Sequence, residues 1–377
     1  MMANEALQFK DSRARSRPSL LRSLHLDGPL LVGLIVLSAF GLLALYSASG
    51  AETGPLFRQL VRMSVAFVTM FVAAQFSPSF LRFWSPWVYL MGVLLLVWVL
   101  VSGAVGQGAQ RWIDLGFMRF QPSELMKLGV PMMVAWYLHD KKLPPTTLQV
   151  GGVLLFIAVP TYLIATQPDL GTSLLIGVSG VFVALLAGMR ARLIAAIGVL
   201  GAAALPALWY FMHDYQRQRV LTFLNPESDP LGQGYQIIQS KIAIGSGGIF
   251  GKGWLNGSQA RLDFLPEPDT DFIFAVMGEE FGLLGLIALL CVYVFIVARG
   301  LFIAVQAQDT FSRLVAGSIS LTFFVYVFVN AGMVTGIMPV VGVPLPLVSY
   351  GGTSMVTLMA GFGILMSVHT HRKLLAR

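Results

Sequence analysis

Residues 265–298 read LPEPDTDFIFAVMGEEFGLLGLIALLCVYVFIVA, three acids at alternate positions followed by a long apolar run. A bilayer core of about 30 Å, crossed at about 1.5 Å per residue, needs about 20 mostly apolar residues, so this run predicts a membrane-spanning helix with Glu267, Asp269 and Asp271 at its mouth. The rest of the chain has the same character. Across 377 residues the charged types supply 11%, where soluble proteins carry roughly a quarter. The apolar fraction is 56% with 39 further glycines, and the mean hydropathy is +0.75. That composition excludes a water-soluble enzyme. The single cysteine, Cys291, lies in an apolar run and excludes an intrachain disulfide framework.

Ten candidate spans follow, near residues 30–48, 60–76, 85–104, 122–138, 149–165, 170–187, 191–211, 271–298, 314–336 and 351–368. The fold class is all-α, a polytopic integral membrane protein of about 10 transmembrane helices with one long extracytoplasmic loop. The expected organisation is a basic N-terminal tail over 1–26, seven helices over 27–211, the loop over 212–270, three helices over 271–368 and a C-terminal tail over 369–377. An even number of spans puts both termini on one side. With that side cytoplasmic, most basic residues fall on it, from Lys10 and Arg22 through Arg82, Lys141, Lys142, Arg190 and Arg192 to Arg372 and Lys373. Arg217, Arg219, Lys241, Lys252 and Arg261 lie in the long loop, and long loops escape the positive-inside rule. The formal charge of +7 therefore reads as cytoplasmic loops in an inner membrane, not as affinity for nucleic acid. The first apolar run exceeds the length of a signal-peptide core and is followed at once by another span, so it reads as a membrane helix.

The acids before the eighth span have two readings. Asp269, Thr270 or Asp271 could cap the helix, where acids also favour the positive end of the dipole. Alternatively a carboxylate there is a general base, since a sugar hydroxyl is a very weak acid that must lose its proton as it attacks. Glu124 and Lys127, three apart in the fourth span, share a helix face and can pair; charge within a membrane defaults to a functional hypothesis, with a structural ion pair as the plainer account. Upstream, QGAQRWIDLGFMRFQPS at 107–123 adds Arg111, Arg119 and Gln121 near the outer surface. Asp169 opens the sixth span and either caps it or orients a cation. Glu279 and Glu280 would lie about 12 Å deeper than Asp271 if their helix were continuous.

Other segments are plainer. In QSKIAIGSGGIFGKG at 239–253, Ser246 and Gly253 break the P-loop pattern, and the glycines with Lys241 and Lys252 either turn tightly or meet a lipid phosphate. GVPLPLVSYGGTS at 342–354 is irregular backbone at membrane level, tolerated against protein or a wet cavity, and reads as a hinge, a substrate wall or a helix breaker. His369 and His371 read as part of a solvated basic tail.

Taken together, AQRWIDLG at 109, RFQPSE at 119, QPDLGTSLL at 167, HDYQRQR at 213, GYQIIQSKIAIGSGG at 234, LPEPDTDFIFAVMGEE at 265 and VGVPLPLVSYGG at 341 resemble the SEDS family (shape, elongation, division and sporulation), and its elongation branch in particular. The resemblance runs in order through most of the chain. It implies a peptidoglycan glycosyltransferase that polymerises lipid II on the outer face of the cytoplasmic membrane, releasing undecaprenyl pyrophosphate, with a class B penicillin-binding protein as transpeptidase partner. The family's catalytic aspartate, in its TDF motif, falls on Asp271, and its interior ion pair on Glu124 and Lys127. Relatives often carry His where this chain has Asp269, which bears on the charge around Asp271. Candidate substrate and pyrophosphate contacts are Arg111, Glu124, Lys127, Asp169, Arg217, Arg219, Lys241, Glu267 and Ser349, with or without a divalent cation such as Mg2+ or Mn2+. The other readings are a lipid II flippase and a non-catalytic scaffold for the transpeptidase.

Overall fold

A computed structural model of the chain describes residues 24–106, 109–114, 119–212, 214–229, 232–262 and 264–371. The chain is a helical membrane bundle. Its elements are α1 (Gly28–Ala48), α2 (Thr53–Gln75), α3 (Pro78–Ser102), β1 (Ala104–Gly106), β2 (Ala109–Asp114), β3 (Arg119–Phe120), α4 (Pro122–Leu138), α5 (Thr147–Ala165), α6 (Leu170–Leu186), α7 (Ala191–Phe211), α8 (Asp214–Leu224), α9 (Gln233–Gly247), α10 (Ser258–Arg261), α11 (Ile273–Val305), α12 (Thr310–Val334) and α13 (Thr353–Thr370). Seven of the described helices, namely α1, α2, α3, α5, α11, α12 and α13, are long and apolar enough to cross a bilayer, and α6 and the first part of α7 are shorter apolar helices. The N-terminal basic stretch lies outside the described residues.

Local chemistry fixes the helix starts. Asp27, Ser77, Asp169 and Asp309 each accept a backbone amide of the first turn, and Thr146 with Gln149 forms a reciprocal capping box for α5. Proline opens α1, α3 and α4, where its missing N–H costs nothing. α12 is the most enclosed of the long spans, with 72% of its apolar window buried; it packs against α11, α6 and α4. In contrast, α2 and α3 keep Val61, Val65, Val68, Leu90 and Leu94 exposed, which suits a lipid-facing wall because lipid is as apolar as leucine.

Both described chain ends meet at one end of the bundle, where His25 stacks on His371 with centroids 3.9 Å apart. His369 does not extend into a solvated tail. Its Nδ1 sits 2.9 Å from Asp27 Oδ2, and Asp27 also accepts Arg299 Nε and Nη2 at 3.0 and 2.6 Å. Burial acts to raise the Asp27 pKa, but the hydrogen bonds of His369, Arg299 and the Leu30 amide hold it well below the usual carboxylate range.

At the opposite end the structure differs from a simple bundle in two ways. The connection between α3 and α4 is a small antiparallel ribbon, β1–β2–β3, rather than an open loop. And α11 is not continuous: Gly282 has φ 64° and ψ −164°, which splits a nine-residue first segment, Ile273–Phe281, from the rest. The chain from Gly248 to Gly253 fills that break. Leu283 and Leu284 amides donate to the Gly248 and Ile249 carbonyls, and Lys252 and Gly253 amides donate to Glu279 and Glu280 carbonyls, all between 2.9 and 3.1 Å. A side chain at Gly251 would collide with the Glu280 carbonyl, so the approach needs glycine. The Gly-rich segment is thus a backbone clasp, and Lys252 is committed to Glu279 at 2.6 Å. The break lies beyond Glu279 and Glu280, which both belong to the first helical segment that begins two residues after Asp271. Glu279 accepts from Lys252 and Ser258 of the loop, and Glu280 from Ser47 near the end of α1.

Candidate active site

Five segments converge on a polar cavity of about 490 Å³ at the loop end of the bundle. α4 supplies Glu124 and Lys127, the start of α6 Asp169, β2 Arg111, α8 Arg219, and the 267–271 turn Glu267 and Asp271; Tyr326 of α12 and the 341–354 segment close the wall.

Glu124 and Lys127 form a 2.7 Å ion pair, with side chains only 6% and 8% exposed. Lys127 Nζ also donates to Ser354 Oγ at 3.1 Å and lies 5.2 Å from the Tyr326 ring centroid. Asp169 satisfies both of its sequence readings. One carboxylate oxygen caps Thr172 at 3.2 Å, and the other accepts Gln121 Nε2 at 3.2 Å and lies 3.8 Å from Arg111 Nη1. Arg111 is further tied to the Gln167 carbonyl at 3.1 Å and to that of Pro168, so the 109–114 strand and the 167–169 turn form one rigid edge.

Asp271 is different, because among the described residues its side chain neither caps a helix nor receives a hydrogen bond. The N-cap of α11 is Phe272, with no side-chain hydrogen bond, so the capping reading of these acids falls away. The backbone around Asp271 is held instead. Asn330 donates to the Asp271 carbonyl at 2.9 Å and to the Val343 carbonyl at 2.8 Å, Ser349 donates to Thr270 at 2.5 Å, and the Tyr350 amide donates to Asp269 at 2.8 Å. Burial, then the nearby Glu267 carboxylate, push the Asp271 carboxyl up to about 6, with Arg219 opposing them. Three buried polar atoms that line the same cavity have no hydrogen-bond partner among the described residues: Glu124 Oε2, Arg219 Nε and Tyr326 Oη. Buried polar atoms are rarely left unpaired, and a cluster of them around a hollow is the mark of a ligand site.

Of the residues expected from sequence, Arg111, Glu124, Lys127, Asp169, Arg219, Glu267 and Asp271 line this cavity. Arg217, Lys241 and Ser349 do not. Arg217 donates to the Trp209 and Tyr210 carbonyls at the end of α7, Lys241 lies against Gly336, and Ser349 works from behind on the backbone. The 342–354 segment is a wall. Asn330, Tyr326 and Ser354 escaped the sequence reading; an amide inside an otherwise apolar span was the available signal for Asn330. Among the described residues there is no group of three or more His, Cys, Asp or Glu that could hold a metal ion.

Beside the cavity runs an apolar groove of about 660 Å³ between α2, α4 and α13, which shares Trp112, Glu124, Gly352 and Thr353 with it.

Residues 29–374 match the Cell cycle protein family of FtsW, RodA and SpoVE. The chain is 55% identical, over 94% of its length and 96% of the relative's, to the peptidoglycan glycosyltransferase MrdB of Escherichia coli (strain K12). It is 37% identical to a probable peptidoglycan glycosyltransferase FtsW of Trichlorobacter lovleyi, over 92% of this chain and 94% of that one. Among solved structures, it is similar to a chain from work described as the structural coordination of polymerization and crosslinking by a peptidoglycan synthase complex, with TM-score 0.81, 34% identity and coverage of 92% and 98%. It is also similar to the crystal structure of Thermus thermophilus rod shape determining protein RodA, with TM-score 0.70, 27% identity and the same coverage.

Proposed function

The chain belongs to the Cell cycle protein family of FtsW, RodA and SpoVE, and from that premise we propose that it is a membrane-embedded peptidoglycan glycosyltransferase with Asp271 as its general base. The observation that carries the assignment is the Asp271 carboxylate, buried and without a hydrogen-bond partner among the described residues, in a cavity that also holds Arg111, Lys127 and Arg219.

The chemistry follows from the geometry. The acceptor is a lipid-linked disaccharide, lipid II, whose sugar 4-hydroxyl is too weak an acid to ionise alone. The Asp271 carboxylate takes that proton as the oxygen attacks the anomeric carbon of the donor glycan. The bond from that carbon to the pyrophosphate oxygen breaks, the electron pair leaves with undecaprenyl pyrophosphate, and configuration inverts in a single displacement. The leaving group is already a stable anion, so it needs cations more than an acid. Arg111 and Arg219 supply them, with Lys127 held ready by Glu124. The proton on Asp271 then returns to water. A carboxyl near pKa 6 is a better match to a neutral operating pH than an ordinary aspartate.

On this reading the loop end of the bundle lies on the extracytoplasmic face of the inner membrane and both termini lie in the cytoplasm. A class B penicillin-binding protein is the crosslinking partner, a reading supported by the synthase complex that holds the similar chain. Purified protein given labelled lipid II without nucleotide should make glycan polymer, and Asp271→Ala should make none while still binding the lipid. Translocation of lipid II across vesicles without polymer would instead identify a flippase. Neither activity, with intact partner assembly, would identify a scaffold.

A further inference from the structure

We propose that Arg62 is a second anion anchor, holding the pyrophosphate of a second polyprenyl-linked molecule whose tail lies in the groove between α2, α4 and α13. The proposal rests on the polymerase reading above, because a transferase that joins two lipid-linked saccharides must hold two anionic heads at once. Two such anions in the single cavity of about 490 Å³ would repel strongly in a low-dielectric site. A second cation, outside that cavity but within reach of it, removes the conflict.

Arg62 occupies that place. It lies ten residues into α2, or about 14 Å along a helix whose neighbours face lipid. A cation at that depth is costly and needs a partner. No carboxylate among the described residues pairs with Arg62. Its guanidinium instead lies 4.4 Å from the Tyr350 ring centroid, a stacking contact that leaves the in-plane N–H donors unused. Tyr350 is itself fixed by Arg58 Nε, which donates to its hydroxyl at 3.1 Å, and by the hydrogen bond its amide donates to the Asp269 carbonyl. The anchor is therefore tied through one residue to the turn that carries Asp271.

The groove supplies the other half of the ligand's chemistry. Val61, Val65, Phe120 and Val356 line it, and among the described residues its only charged lining groups are Arg62 and Glu124. An apolar channel of about 660 Å³ with one unpaired cation at its rim fits a long isoprenoid chain ending in phosphate. At the edge shared with the polar cavity stands Gly352, where an added side chain would meet Arg62 Cδ and Nε at 3.6 Å. A saccharide attached to a pyrophosphate at Arg62 would cross that edge toward Asp271.

The test counts bound lipid without requiring turnover, so it can fail separately from the polymerase assignment. Full-length protein in phosphatidylcholine nanodiscs is titrated with undecaprenyl pyrophosphate, which carries no sugar, and occupancy is read by native mass spectrometry. Two molecules should bind to the wild-type protein. Arg62→Gln should weaken one of them by about tenfold or more, Arg111→Gln should weaken the other, and Arg62→Lys should restore part of the first. Val65→Phe, which narrows the groove and leaves all charges in place, should lose the same molecule as Arg62→Gln. Unchanged double occupancy in both Arg62→Gln and Val65→Phe would overturn the proposal. So would Arg62-dependent binding of inorganic pyrophosphate as tight as that of the lipid, or equal competition by phosphatidylglycerol, since either outcome assigns the cation to a different anion.

Discussion

Two clusters of charge sit at opposite ends of this bundle. At the terminal end Asp27 is met by Arg299 and His369, each within 3.0 Å, and by the Leu30 amide. At the loop end the Asp271 side chain has no hydrogen-bond partner among the described residues and only the Arg219 charge to oppose its burial, and Glu124, Arg219 and Tyr326 each leave a buried polar atom unsatisfied among those residues. Both clusters pay desolvation. The first recovers it within the protein and ties α1, α11 and α13 together; the second leaves it unrecovered until a charged ligand arrives. Completeness of pairing, more than the presence of buried charge, separates a structural cluster from a reactive one in a membrane.

That contrast predicts opposite responses to neutralisation. Asp271→Asn should lower polymerisation by about 10²- to 10⁴-fold, and it should raise thermal stability. The folded pKa of about 6 exceeds that of an unfolded aspartate, so ionisation at pH 7 destabilises the native state by no more than about 3 kcal/mol, a penalty that is absent below about pH 4. Melting of both proteins in detergent at pH 7 checks it. A variant that is less stable than wild type would place Asp271 among the structural charges.

Breaking the buried pair should do the reverse to stability. Lys127→Met strands Glu124 and should cost about 3–5 kcal/mol, while Glu124→Gln with Lys127→Met should regain much of that loss and none of the activity. Smaller still is the effect expected at Asn330, which holds the Asp271 backbone. Asn330→Ala should cost about 1–3 kcal/mol and lower kcat with little change in KM, because it displaces the base without touching a substrate contact. Least affected should be polymerisation in Asp27→Asn. That change should lower the melting temperature but leave glycan synthesis within about twofold, as expected of a site far from the chemistry; a loss comparable to that of Asp271→Asn would erase the distinction between the two clusters.

Much of this architecture was legible in the sequence because lipid imposes a simple rule on length and polarity. α1 to α7 and α11 to α13 all fall on apolar runs. What escaped is where backbone meets backbone. Gly282 sits in an apolar run that tolerates glycine, so the break in α11 and its filling by 248–253 depend on a segment some thirty residues upstream. In the ribbon over 104–120, β1 and β3 are too short to show alternation, and β2, AQRWID, does not alternate polar and apolar residues. Within the site, Glu124 with Lys127 follows from helical spacing, and so does part of the choice between Arg217 and Arg219: two residues apart on α8, they point to different faces. Which of them meets Asp271 is a tertiary fact. Tyr326 was invisible because an aromatic residue in a membrane helix carries no signal of its own.

The most direct measurement of the base assignment is the pH dependence of kcat/KM for glycan polymerisation, in wild type and in Glu267→Gln. Asp271 must be ionised to accept a proton, so the rate should rise with pH through a midpoint near 6 and then level off. Removing the neighbouring Glu267 charge, which raises that midpoint, should shift the profile to lower pH. A profile that stays flat from about pH 5 to 8, or one that Glu267→Gln leaves unmoved, would contradict a general base at Asp271.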